Sequence, residues 1–155
     1  MDQKVSATFE PLEHPGHLVR RLHQISVSVF LESTSAYDVT HLQFASLQAI
    51  NAFPGIDQAK LGRLVATDRQ TTSVVVKKLL ERGLVDRKEK NKRTYALFVT
   101  GPARALLKVI EEHVPEIDNK ILQALSDEER EDFMRLLRKV VSSGNELSRA
   151  PFEQP

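Results

Sequence analysis

The chain contains no cysteine, so disulfides, thiolate metal sites and thiol-based redox chemistry are excluded. No apolar run approaches the ~20 residues that carry a helix across a bilayer. The opening MDQKVSATFEPLEHPGH lacks the basic start and apolar stretch of a secretory signal, and a cytoplasmic location is expected. Also missing are a glycine-rich phosphate loop, a nucleophile motif and a convincing pair of catalytic carboxylates. No enzymatic activity and no cofactor are therefore expected. The chain shows no internal repeat, and its net charge is only +1.

What is present is a folded composition, 41% hydrophobic, with charge that is unevenly spread. Residues 1–56 carry net −2, residues 57–100 net +6 and residues 101–155 net −3. A basic middle between acidic ends points to a local anion-binding surface, with nucleic acid as the leading partner and a merely solvated surface as the alternative.

The first ten or so residues are expected to be loose, and Pro11, Pro15 and Gly16 break structure before the first helix. Leu18, Leu22, Ile25 and Val29 then recur at helical spacing. Thr40 can cap a second helix with Phe44, Leu47 and Ile50 inward and Pro54-Gly55 as its stop. Asp57 can cap a short third helix carrying Leu61, Leu64 and Val65.

The stretch RQTTSVVVKKLLERG is ambiguous at first sight, because three consecutive valines suggest a strand. Thr72, Val75, Val76 and Leu79, however, form an i, i+3, i+4, i+7 stripe, with Asp68 or Thr67 available as a cap and Gly83 as the stop. The reading is a helix. LVDRK and RTYALFV follow as two short strands around a charged tip at Lys88–Lys92.

Pro102 suits the first turn of another helix bearing Leu106, Leu107 and Ile110, and Pro115 should kink or interrupt it. Ser126 and Glu129 match a capping box for a last helix with Phe133, Leu136, Leu137, Val140 and Val141 on one face. Gly144 is its expected end, followed by a tail.

Two short helices, a third helix and a basic hairpin make a winged helix-turn-helix. The fold class is mainly α with a small β-hairpin wing, flanked by N- and C-terminal helices. A helix of this kind fits the major groove and presents its outer face to base edges. That face carries Arg69, Gln70, Thr71, Ser73 and Val74, with Lys77 and Lys78 better placed for phosphates. Gln70 can pair with adenine and Val74 can touch a thymine methyl. The hydroxyls of Thr71 and Ser73 are equally suited to bonding their own helix start. Lys88, Lys90, Lys92 and Arg93 on the hairpin can follow the backbone and reach a minor groove.

Residues from about 40 to 101 resemble the multiple antibiotic resistance regulator (MarR) family of bacterial transcription factors. The likeness rests on FASLQAINAFPGIDQAKLGRLVATDRQTTSVVVKKLLERGLVDR and NKRTYALFVTGPA, above all on Gly83–Arg87 and Thr100-Gly101 in combination. It implies one chain, 1–155, with a winged helix-turn-helix at 40–100 and dimerisation helices at 16–37 and 102–148. It also implies a homodimer on a palindromic duplex operator, released by a small anionic or phenolic ligand. The chain departs from the family at the wing, where Asn91-Lys92-Arg93 replaces the usual Asp-x-Arg. The wing arginine carries over to Arg93, but an ion pair bracing the wing does not.

The resemblance further implies an effector pocket between the dimer helices and the winged part. His17, Arg20, Arg21 and His23 supply polar groups there, and Phe44 and Leu47 an apolar wall. A guanidinium pairs a carboxylate through two bonds, so a small aromatic carboxylate is the expected effector. Adjacent helix positions point about 100° apart, and Arg21 lies beside the apolar stripe, with Arg20 the open alternative. Ordinary surface ion pairs would use the same arginines. His14, His17 and His23 match no metal-ligand spacing, and no metal is expected. A winged helix serving only protein contacts, or an architectural DNA binder without an effector, is the rival reading.

Overall fold

The computed structural model describes residues 10–91 and 94–153. A 3-10 turn at Pro11–Glu13 leads into α1 (Pro15–Ser33), and a second at Ser35–Tyr37 into α2 (His41–Ala52). Next come α3 (Gln58–Leu64), α4 (Arg69–Glu81), β1 (Val85–Asn91) and β2 (Thr94–Val99). The chain continues through α5 (Gly101–Glu111), α6 (Val114–Ile121) and α7 (Asp127–Ser143), with a last 3-10 turn at Asn145–Leu147. The expected loose first residues lie outside the described residues. Among the described residues, no helix is long and apolar enough to cross a membrane.

Most of the longer helices begin on a local cap. Thr40 and Gln43 form a capping box on α2, and Ser126 and Glu129 another on α7. The Asp57 carboxylate accepts from Lys60 N at 2.9 Å, and the Asp68 carboxylate from Thr71 N at 2.8 Å. Asp68, rather than Thr67, is therefore the cap of α4. Gly83 ends that segment at φ 65, the left-handed conformation expected just past a helix. Pro115 falls at the start of α6, so the expected interruption is a full break between α5 and α6 around His113.

The core gathers Leu47 and Ile50 of α2, Leu61 of α3, Val76 and Leu79 of α4, Leu97 of β2, and Leu107 and Ile110 of α5. The α3–α4 corner is closed by side-chain bonds. Thr72 Oγ1 lies 2.7 Å from Thr67 Oγ1 and donates to Asp68 O at 2.8 Å. The winged helix-turn-helix is thus a single packed unit.

Three features differ from the sequence reading. First, β1 runs to Asn91, so Lys88 and Lys90 belong to the strand and not to the hairpin tip; Lys88 pairs with Ala96, and Lys90 sits at a bulge between Glu89 and Asn91. A two-stranded exposed ribbon tolerates charged side chains on both faces, which hid the last residues of the strand. Second, Ile56 bridges to Leu97, adding an edge to the hairpin. Third, the α1 stripe is largely uncovered within the chain. Leu18 and Ile25 are exposed and Leu22 and Val29 only half-buried, while Phe30 is the residue that enters the core.

Candidate nucleic-acid interface and ligand hollow

The inward stripe of α4 is buried at Thr72, Val75, Val76 and Leu79. That rotation leaves Arg69, Gln70, Ser73, Lys77 and Lys78 exposed, together with Val74 at 50% exposure. Thr71 is half-buried, and its hydroxyl donates to the Asp68 carboxylate at 2.9 Å, so it serves the helix start. The two hydrogen bonds from Thr71, backbone N–H first and hydroxyl second, hold the Asp68 carboxyl below the usual aspartate range. Lys77 stands 3.8 Å from Glu81 in a fully surface-exposed pair. Such pairs contribute little, so the ammonium remains available to a phosphate.

On the hairpin, Lys88 and Lys90 are exposed. The Lys88 ammonium lies 5.2 Å from the centre of the Phe98 ring, and the Arg87 guanidinium 4.7 Å from that of Tyr95. Lys92 and Arg93 lie outside the described residues. The α4 face and the hairpin together present a cationic surface with a neutral centre of Gln70, Ser73 and Val74. Cations can hold a phosphate backbone, and neutral side chains can meet base edges.

The second predicted site divides in two. His17, Arg20 and Arg21 converge, with Gln24, on a surface hollow of about 340 Å³ along α1. Both arginines line it, so the choice between them does not arise from direction alone. His23 points elsewhere, its ring 6.5 Å from His41. His41 packs edge-on to Phe30 at 5.3 Å, and Phe30 lies 5.4 Å from Phe44. Phe44 and Leu47 are buried in the core, and neither lines the hollow. Burial, reinforced by the like charge of His23, pushes His41 below its ordinary value of 6.5. The rings of His14 and His17 lie 6.1 Å apart. Among the described residues no three metal-ligating side chains come together.

A profile described as MarR family matches residues 37–93. The PcaV transcriptional regulator of Streptomyces coelicolor, solved with its natural ligand, superposes at a TM-score of 0.77 with 30% identity, over 89% of this chain and 99% of that one. The chain belongs to the MarR family. Another solved structure, that of BpsR of Bordetella bronchiseptica, concerns the regulation of its DNA binding by 6-hydroxynicotinic acid. It is 25% identical, covers 88% of this chain and 99% of its own, and superposes at a TM-score of 0.81. A curated relative, the HTH-type transcriptional repressor NicR of Pseudomonas putida, is 27% identical over 87% of each chain. This MarR-family chain is thus a DNA-binding transcription regulator with a winged-helix fold.

Sequence reasoning passed over several residues of this MarR-family surface. Arg63, Arg87 and Arg149 line a cleft of about 600 Å³ beside α4, with Arg69 and Tyr95. Arg82 donates to the carbonyls of Tyr37 and Asp38, tying the end of α4 to the turn before α2. Tyr37 in turn lies 3.3 Å from His113 Nε2 through its hydroxyl. Arg87 could have been noticed from the Gly83–Arg87 motif, whereas the partners of Arg82 and the rest of the cleft that Arg149 lines are far from them in the chain and leave no local signal.

Proposed function

We propose that the chain is a homodimeric, ligand-responsive repressor that binds a palindromic duplex operator and releases it on binding a small aromatic or phenolic acid. The observation that carries the effector is the convergence of Arg20, Arg21, His17 and Gln24 on one hollow of α1. Two adjacent guanidiniums beside an imidazole suit a carboxylate and a neighbouring ring hydroxyl. Support comes from the 6-hydroxynicotinic acid that regulates DNA binding by BpsR. The repressor sense follows NicR.

The mechanism is a population shift. Two reading helices related by a two-fold axis must meet major grooves about one helical turn, ~34 Å, apart. A ligand with higher affinity for another spacing of the reading heads draws the dimer away from DNA by that difference in affinity, however tightly it binds overall. The hollow lies on a terminal helix, so a ligand there would act on the spacing and leave α4 untouched.

The test is DNA binding to the promoter beside the protein's own gene, with and without salicylate, 6-hydroxynicotinate and related acids. Arg20→Ala and Arg21→Ala should keep operator affinity, and at least one of them should make release insensitive to acid. Release at the wild-type acid concentration in both variants would place the effector elsewhere. Operator binding that no acid alters would favour the effector-free architectural reading.

A further inference from the structure

The C-terminal tail is not a loose end. After α7, Asn145 brackets the backbone of Phe152: its carboxamide oxygen accepts from Phe152 N at 2.7 Å and its amide nitrogen donates to Phe152 O at 3.1 Å. This hook turns the chain back, so that Arg149, Ala150 and Pro151 form one wall of the cleft beside α3, α4 and the hairpin. The next residue, Glu153, places its carboxylate Oε2 3.2 Å from Arg63 Nε.

The cleft has the chemistry of an anion seat. Arg63, Arg69, Arg87 and Arg149 contribute guanidiniums to its lining. The two carboxylates of its lining, Asp57 and Asp68, are occupied as helix caps by Lys60 N and Thr71 N. Arg63 Nε and Thr94 Oγ1, both on residues of the cleft wall, are buried and have no hydrogen-bond partner. For Arg63 this means that Glu153 supplies charge at short range without lying along the N–H direction. A phosphodiester oxygen standing where the Glu153 carboxylate lies is an acceptor for Arg63 Nε. In a helix-turn-helix the helix preceding the reading helix crosses the DNA backbone, and here that helix is α3, which carries Arg63.

We propose that this cleft is a seat for a DNA phosphate and that Glu153 occupies it in the free protein as an internal substitute for that phosphate. The proposal rests on the DNA-binding reading above. Because Asn145 anchors Phe152, the carboxylate can leave by rotation of the Glu153 side chain alone, and Arg149 stays in the cleft wall. DNA binding then exchanges an imperfect carboxylate–Arg63 pair for a phosphate–Arg63 pair, and Glu153 weakens binding to every duplex alike. The tail therefore sets the general affinity of the regulator without altering its sequence preference.

The experiment is a double-mutant cycle on the full chain, read by binding to an operator duplex and to an unrelated duplex at low salt. Glu153→Gln should tighten both by about two- to five-fold, the range of an exposed ion pair, and the gain should shrink as salt rises. Arg63→Ala should weaken both duplexes, and adding Glu153→Gln in that background should restore nothing. Glu146→Gln, which removes an exposed carboxylate of the same tail, should leave affinity unchanged. An unchanged or weakened affinity in Glu153→Gln overturns the proposal. So does an equal gain with and without Arg63, which would mark a general charge effect. Failure of the wild-type protein to bind any duplex would overturn the DNA-binding reading as well.

Discussion

Gly62 is a residue whose role only its neighbours reveal. A Cβ there would stand 2.8 Å from Thr72 Oγ1 and 3.2 Å from the Thr67 carbonyl oxygen, inside the hydrogen-bonded corner between α3 and α4. Gly62→Ala should cost about 1–3 kcal/mol, as overpacking of a tight site does, visible as a lowered denaturant midpoint. Ala66, four residues on, sits at φ 54, a conformation unfavourable to any residue with a Cβ. Ala66→Gly should be neutral or stabilise by up to about 1 kcal/mol, and a clear loss of stability would show that the Ala66 methyl is needed for packing. His41 is the residue that should confer pH dependence. Its folded pKa lies below 6.5, through burial first and the proximity of His23 second. The unfolded chain therefore takes up this proton at a higher pH than the folded chain does. Stability falls as pH drops from about 6.5 towards the depressed folded value and levels off below it. His41→Asn should flatten the thermal midpoint over that window, and an unchanged slope would assign the dependence to another group.

Among the elements, α4 is the one proposed to read DNA, and its two ends are held differently. Its start is fixed by Asp68, and its end by the bonds of Arg82 to the Tyr37–Asp38 turn. Between them the outer face separates two kinds of contact. Lys77→Ala should weaken binding to all duplexes and reduce the magnitude of the salt slope by about one, the signature of one lost phosphate contact. Gln70→Ala should instead lose discrimination at one or two base pairs, worth roughly 1–3 kcal/mol. Equal weakening on every sequence would remove Gln70 from base reading. For α2, Thr40 and Gln43 satisfy each other's backbone N–H groups, at 3.2 Å and 3.0 Å. Thr40→Ala should destabilise the fold by about 1 kcal/mol in a chemical denaturation curve.

At the scale of the whole molecule, the apolar surface is distributed as if part of the core were missing. No residue of α7 is buried, although Leu136, Val140 and Val141 are 51%, 70% and 63% exposed on a helix with a clear apolar face. Leu18, Val19, Ile25 and Leu31 of α1 are exposed as well. Exposed apolar helix faces of this kind are what a two-fold interface covers. Charged substitution of Leu136 and Leu137 should give monomers or insoluble protein and abolish operator binding, as measured by sedimentation and by titration with duplex. A soluble monomer with wild-type operator affinity would remove the dimer from the mechanism.

The helix starts were legible in the sequence because a cap is a short-range device. Thr40 with Gln43, Asp57 with Lys60, Asp68 with Thr71 and Ser126 with Glu129 all lie three residues apart, and apolar spacing repeats within two turns. Those same signals turned three valines into a helix and marked the face proposed to read DNA. The features that escaped are pairings across long separations. The first strand runs on past Lys88 because β2 offers backbone partners to Glu89 and Asn91, with Lys90 at the bulge between them, and Ile56 joins the hairpin through Leu97. The residues assigned to one pocket were separated, with His23 turned to His41 and Phe44 packed in the core against Phe30. The tail reaches Arg63 from the far end of the chain. A backbone pair or a folded-back segment needs no particular residue type at either end, so its location was decided only when the helices packed.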